Sequence, residues 1–308
     1  MDAVPLTLPY YAPADKLPDT LPTHEEILAS TDFLLDPSWA LDAGLMSVRV
    51  GEHFVAKYGE RVSPIEGENM LFVKENTSIV LPELYAMYRF DDGKQTMIVT
   101  ENIQGTPLRS CRCQSRLAPI INKLQAQIEE LRRIPAPGYF GFIGRRPLQI
   151  DPLEPSHGPY TTVSDMMVSL FFDIEEQALN PPRFINIIEA FIADITRVTR
   201  ATGRTAPVFS HGALYAGNVI LREDDTPVIL NWGSAGFYPA FYEYYRLIVT
   251  GGLPEVLISM TNSCAEECVV MNKYQSIWQD AIFDEADRNF ERHYGGEQTG
   301  PRHWHNPY

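Results

Sequence analysis

From residue 45 the chain alternates apolar and polar side chains: Met46, Val48 and Val50, a Gly51-Glu52 turn, then Phe54, Val55 and Lys57. A period of two around a glycine turn predicts a β-hairpin. Leu81 to Phe90 and Lys94 to Ile103 predict two further strands, joined by Asp91-Asp92-Gly93, a sequence suited to a tight hairpin turn. A helix is expected between the two strand pairs, over about Pro64 to Asn76. Gly105-Thr106-Pro107 then breaks the alternation, which places a boundary near residues 101 to 106.

Elsewhere the period is helical. Thr23-His24-Glu25-Glu26 is a capping-box pattern that starts a helix ending near Asp36-Pro37. Leu117, Ile120, Ile121, Leu124, Ile128 and Leu131 recur at helix spacing, with Pro119 tolerated if it falls in the first turn. Further helices are expected over Ser164 to Leu179, Pro182 to Arg200, Tyr242 to Val249, Pro254 to Met260 and Glu266 to His293. Residues 1 to 22 are rich in proline and read as an extended arm. Pro135 to Tyr160 reads as a long ordered loop, and loops of that length are often functional. The expected organisation is an arm and helix (1–44), a small antiparallel-sheet lobe (45–104) and a mainly helical lobe with a polar tail (105–308). The fold class is therefore α+β and bilobal. In the tail His303 and His305 have metal-ligand spacing, but a frayed terminus is much the better reading, and no metal site is expected.

Composition narrows the function. The 308 residues carry a formal charge of −15 with 44% hydrophobic and 21% charged residues. That balance opposes nucleic acid and anionic membrane as partners, since both require clustered Lys and Arg. No apolar run approaches the ~20 residues of a membrane span, and the start has neither the basic nor the apolar region of a secretory signal. An intracellular, cytoplasmic location is expected. Cys111-x-Cys113 and Cys264-xxx-Cys268 fit no zinc spacing, and the second pair shares a helix face, which suggests packing.

The stretch from Phe209 to Arg246 carries the most chemistry. His211-Gly212-Ala213-Leu214 with Asn218, followed by Leu230-Asn231-Trp232, resembles the HGDLxxxN and IDWE motifs of the aminoglycoside phosphotransferase and choline kinase family. VRVGEHFVAKYG, EGENMLFV and MIVTENIQGTPL resemble the small-lobe strand, glutamate helix and hinge of fungal members of that family. The resemblance spans roughly residues 45 to 250. It implies a protein-kinase-like fold, with Lys57 as the phosphate lysine, Glu68 as its helix glutamate and Asn218 as a metal ligand if nucleotide is bound. Glu66 is a second candidate for the glutamate, and a lysine reaching solvent from a strand edge is the alternative reading of Lys57. The loop 135 to 160 would border the acceptor pocket, where Arg145 and Arg146 either meet an acidic group of the substrate or, the favoured reading, are solvated surface charges.

Both aspartates of the pattern are missing. Ala213 stands where a carboxylate would orient the acceptor hydroxyl, and Asn231 where a second would bridge metal to phosphate. Each loss is worth about two to four orders of magnitude in rate, if a preorganised charged group contributes about 3 to 5 kcal/mol. Gly233 also replaces a frequently acidic residue. Glu223, Asp224 and Asp225 lie in a turn expected to point away, and Glu243 suits a structural place. The remaining side chains, His211, Tyr215, Trp232, Phe237, Tyr238, Phe241, Tyr242, Tyr244 and Tyr245, form either an apolar cleft or the core.

Three functions follow as expectations. The first is a kinase-fold protein that has lost ATP phosphotransfer and uses the interlobe cleft for a small, largely apolar molecule, as a cyclase or isomerase with His211, Tyr215 and Tyr238 as catalytic candidates. It needs no cofactor. The second is a non-catalytic pseudokinase that binds nucleotide or a protein partner. The third is a residual small-molecule phosphotransferase using ATP and magnesium.

Overall fold

The computed structural model describes residues 6–111, 113–149, 153, 156–172, 181–249 and 264–294. The helix expected over Pro254 to Met260, the end of the one expected to reach Leu179, and the tail with His303 and His305 lie outside the described residues.

The chain begins with β1 (Tyr10–Tyr11), then α1 (His24–Ala29), β2 (Asp32–Phe33) and α2 (Pro37–Asp42). The capping box of α1 is complete: Thr23 accepts from the Glu26 backbone N–H, and Glu26 accepts from that of Thr23. Next come β3 (Met46–Val50), β4 (Phe54–Gly59), α3 (Ile65–Asn76), β5 (Leu84–Phe90) and β6 (Gln95–Glu101). The six strands form one antiparallel sheet in the order β1-β5-β6-β4-β3-β2. In the β5–β6 turn, Asp91 and Asp92 both have positive φ, as the Asp-Asp-Gly sequence allows. The proline-rich arm supplies more than an extended lead-in, because Tyr10 and Tyr11 pair with Met87 and Ala86 as an edge strand. Two residues are too few to show alternation in sequence.

The alternation along β3 to β6 gives the sheet two apolar faces. Val48, Phe54, Ala56, Met97 and Val99 are buried on the face covered by Ile27 of α1, with Leu17 and Leu21 of the arm packed beside them. Full burial of Ile27 stabilises this cover by about 1.5 to 3 kcal/mol. Met87 and Ile98 point the other way, into the core shared with α3 and the second lobe.

The second lobe opens with β7 (Thr106–Pro107) and α4 (Gln114–Leu131), whose Leu117, Ile120, Ile121, Leu124, Ile128 and Leu131 are buried as the period predicts. Because α4 starts at Gln114, Pro119 lies in its second turn and not in the first. There it lacks the N–H that would bond to the preceding turn, a cost that the buried face offsets. Then follow α5 (Val163–Phe171), α6 (Pro181–Thr202), β8 (Pro207–Ser210), β9 (Val219–Leu221), β10 (Pro227–Ile229), β11 (Gly236–Pro239), α7 (Tyr242–Val249) and α8 (Ala265–Tyr294). β10, β9 and β7 form one small sheet, and β11 pairs with β8. α6 packs on α8, with Trp278 edge-on to Phe172 and Phe184. Cys264 and Cys268 are buried in this packing, and burial pushes the Cys268 thiol up to about 12. No helix among the described residues is long and apolar enough to cross a membrane.

Candidate functional site between the lobes

The loop after β8 is held from beneath. Glu243, buried on α7, accepts hydrogen bonds from the backbone N–H groups of Gly212 at 3.0 Å and Leu214 at 3.4 Å. Gly212 has φ of 78°, and a Cβ there would lie 2.4 Å from the Ser234 carbonyl oxygen, so only glycine lets the two segments pass. His211 is fully buried and donates from Nε2 to the Leu230 carbonyl at 2.9 Å, with its ring edge-on to Trp232. Burial lowers its pKa, which keeps the imidazole neutral.

Above this frame the polar side chains bond to one another. Asn218, in the turn Ala216–Asn218, donates from Nδ2 to the Ala213 carbonyl at 2.9 Å. Asn231 donates from Nδ2 to Asn218 Oδ1, and its own Oδ1 lies 3.5 Å from Lys57 Nζ. Asn231 sits at φ 62°, a left-handed conformation that asparagine tolerates better than most side chains. The chain Lys57–Asn231–Asn218–Ala213 thus links β4 to the loop after β8.

Lys57 lies opposite Ile98 on β6, on the sheet face toward α3. Its ammonium pairs with Glu66 at 2.6 Å. The glutamate assigned by resemblance, Glu68, instead pairs with Arg146 from the loop of the second lobe. Residues two apart on a helix point to nearly opposite sides, so rotation of α3 decides between them. That rotation is fixed by Gly67, whose missing side chain admits Met87, and by Asn69, which is buried and donates to the carbonyls of Trp232 at 2.8 Å and Ala235 at 2.9 Å. Arg146 is accordingly paired within the protein and is not a fully solvated charge. Gly233 lies beside Glu66.

The three catalytic candidates differ in exposure. Tyr238 is fully buried, stacked on Tyr242 and donating to the Ser234 carbonyl at 2.8 Å, and burial raises its pKa well above the usual value. A buried phenol and a buried imidazole have no surface on which to meet a substrate. Tyr215 alone of the three is exposed, at 40%, beside Gly217. Trp232, Phe237, Phe241, Tyr242, Tyr244 and Tyr245 are likewise buried core residues. The aromatic set is therefore core and not the lining of an apolar cleft. Asp225 pairs with Arg116 of α4, while Glu223 and Asp224 line a cavity with Glu101 and Asn102.

A nucleotide with magnesium fits this donor set poorly. Ala213 has no polar side-chain atom, Asn231 is neutral, and magnesium is ordinarily held through at least one carboxylate. Among the described residues no group of three or more His, Cys, Asp or Glu side chains is placed to hold a metal ion. Lys57 could still face a phosphate, with its charge already offset by Glu66.

The two lobes, the lysine strand, the glutamate helix and the loop after β8 define a kinase-like fold of the aminoglycoside phosphotransferase type. No protein-family model and no curated protein matches the sequence. Solved structures do match. The GDP and kanamycin complex of APH(2")-IIia aligns with a TM-score of 0.52 at 11% identity, covering 80% of this chain and 91% of that one. A thermostable mutant of aminoglycoside phosphotransferase APH(4)-Ia, in ternary complex with ADP and hygromycin B, gives 0.51 at 14% identity over 89% and 97%. Another structure of APH(4)-Ia gives 0.50 at 15% identity over 80% and 87%. The likeness lies in the fold.

Proposed function

We propose that this chain is a pseudokinase: a kinase-fold protein that does not transfer phosphoryl groups and binds a small molecule between its lobes without processing it. The observation that carries this reading is the closed hydrogen-bond chain Lys57–Asn231–Asn218–Ala213, which stands where phosphoryl transfer needs two carboxylates and a metal. The frame supports binding. Glu243 fixes the loop, Asn69 fixes α3 against the second lobe, and the Lys57–Glu66 pair is formed.

The cyclase or isomerase reading keeps one supporting feature, the exposed ring of Tyr215 beside the loop. Its other two candidates, His211 and Tyr238, are buried. Binding without chemistry needs neither.

Thermal-shift titration tests the proposal. A ligand that binds only the native state at 100 times its Kd stabilises by about 2.7 kcal/mol. ATP is expected to give the same small shift with magnesium as with EDTA. Stabilisation by ATP that depends on magnesium, with release of ADP, would count against the reading.

A further inference from the structure

A cavity of about 430 Å³ lies between the start of α3, the end of β5, the N-terminal arm and the loop after Phe142, and Lys57 does not line it. Its size falls within the range of small-molecule sites, about 300 to 1,000 Å³. Its apolar lining includes Leu6, Leu8 and Phe142. Its polar lining includes Arg89, Arg146, Ser63 and Glu68.

The charges there are two guanidinium groups against one carboxylate, a local excess of one positive charge in a chain whose formal charge is −15. Arg146 is half-buried, donating from Nη2 to Glu68 and from Nε to the Ile143 carbonyl at 3.0 Å. Arg89 is exposed and donates from Nη1 to the Gly93 carbonyl at 3.0 Å, which uses one of its five N–H donors. Guanidinium forks match a carboxylate well, and the apolar lining removes hydrocarbon from water.

We infer that this cavity binds an amphipathic monoanion, a carboxylate carried on a short apolar body, with the carboxylate between Arg89 and Arg146 and the body against Leu6, Leu8 and Phe142. The bound anion competes with Glu68 for Arg146. This competition separates a ligand site from mere packing, because it gives the two charged neighbours opposite effects on affinity.

Calorimetric titration of the full chain with octanoate, with 1-octanol and octylamine as comparators, tests the inference. Octanoate should bind one to one, at least tenfold more tightly than either comparator. Arg89→Gln should weaken it at least fivefold, and Glu68→Gln, which releases Arg146, should tighten it at least threefold. Arg89 is exposed, so its replacement leaves the fold intact, whereas removing Arg146 would strand the buried Glu68. Absence of saturable octanoate binding, equal binding of 1-octanol, indifference to Arg89→Gln, or weakening by Glu68→Gln would each overturn the assignment. All four outcomes are independent of whether ATP binds between the lobes.

Discussion

Asn69, in the helix of the small lobe, donates its side-chain amide to the backbone carbonyl of Trp232 in the large lobe at 2.8 Å, and the contact is fully buried. The same amide reaches Ala235 at 2.9 Å. A small-lobe helix tied in this way moves with the segment that carries Asn231. Asn69→Ala would take the side-chain donor from the Ala235 carbonyl, at about 1 to 3 kcal/mol, while the Trp232 carbonyl keeps the Ala235 N–H at 3.0 Å. Urea denaturation should show a loss of about 1 to 3 kcal/mol, and no loss would mean that the contact is replaced by water.

Much of this arrangement is legible in sequence. The hairpins, the capping box of α1 and the turn at Asp91-Asp92-Gly93 are local, and local periods and turn residues report them. The pairing of Lys57 with Glu66 in place of Glu68 is not local: both lie on one helix, and packing of Gly67 on Met87 and Asn69 on Trp232 sets the rotation. The aromatic run from Trp232 to Tyr245 failed as a cleft for a related reason. Composition gives rings their apolarity but not the side from which they are covered, and here neighbouring elements bury nearly all of them. The partner of Arg146 lies on another lobe, where no spacing rule reaches.

His211 gives the fold a pH dependence with a definite sign. Burial lowers its pKa in the native state, so below about pH 6.5 the unfolded chain takes up a proton that the native imidazole resists. The unfolded state then binds more protons, and stability falls as pH falls. His211→Asn removes this component. The difference in unfolding free energy between pH 7 and pH 5 should be smaller in the variant. Identical pH profiles would show that His211 is not held neutral.

The large lobe has its own buried charge. Glu267 is fully buried at the start of α8 and accepts from Arg204 Nη1 at 2.9 and 3.2 Å and from Thr202 Oγ1 at 2.6 Å. Breaking such a pair by removing one partner typically costs about 3 to 5 kcal/mol. Arg204→Ala should therefore lower the denaturation midpoint strongly, while Arg204→Ala with Glu267→Met should recover at least half of the loss. Failure of the double variant to recover would place the effect in lost packing of the arginine stem.

Glu243 positions the loop that carries Ala213. Glu243→Gln replaces one acceptor oxygen with a donor facing the Gly212 and Leu214 amides. Hydrogen exchange at those two amides should accelerate by more than tenfold, with a stability loss of about 1 to 3 kcal/mol. Unchanged protection would show that the loop is held by its strands alone.

The central claim is that Ala213 and Asn231 deprive a sound kinase frame of phosphoryl transfer. Its most direct test is magnesium-dependent ATP consumption over a panel of alcohols and amines, measured for the unaltered chain and for the double variant Ala213→Asp, Asn231→Asp. The unaltered chain should remain at the no-enzyme background, and activity, if regained, should be confined to the double variant. Magnesium-dependent ATP turnover by the unaltered chain above background would contradict the account.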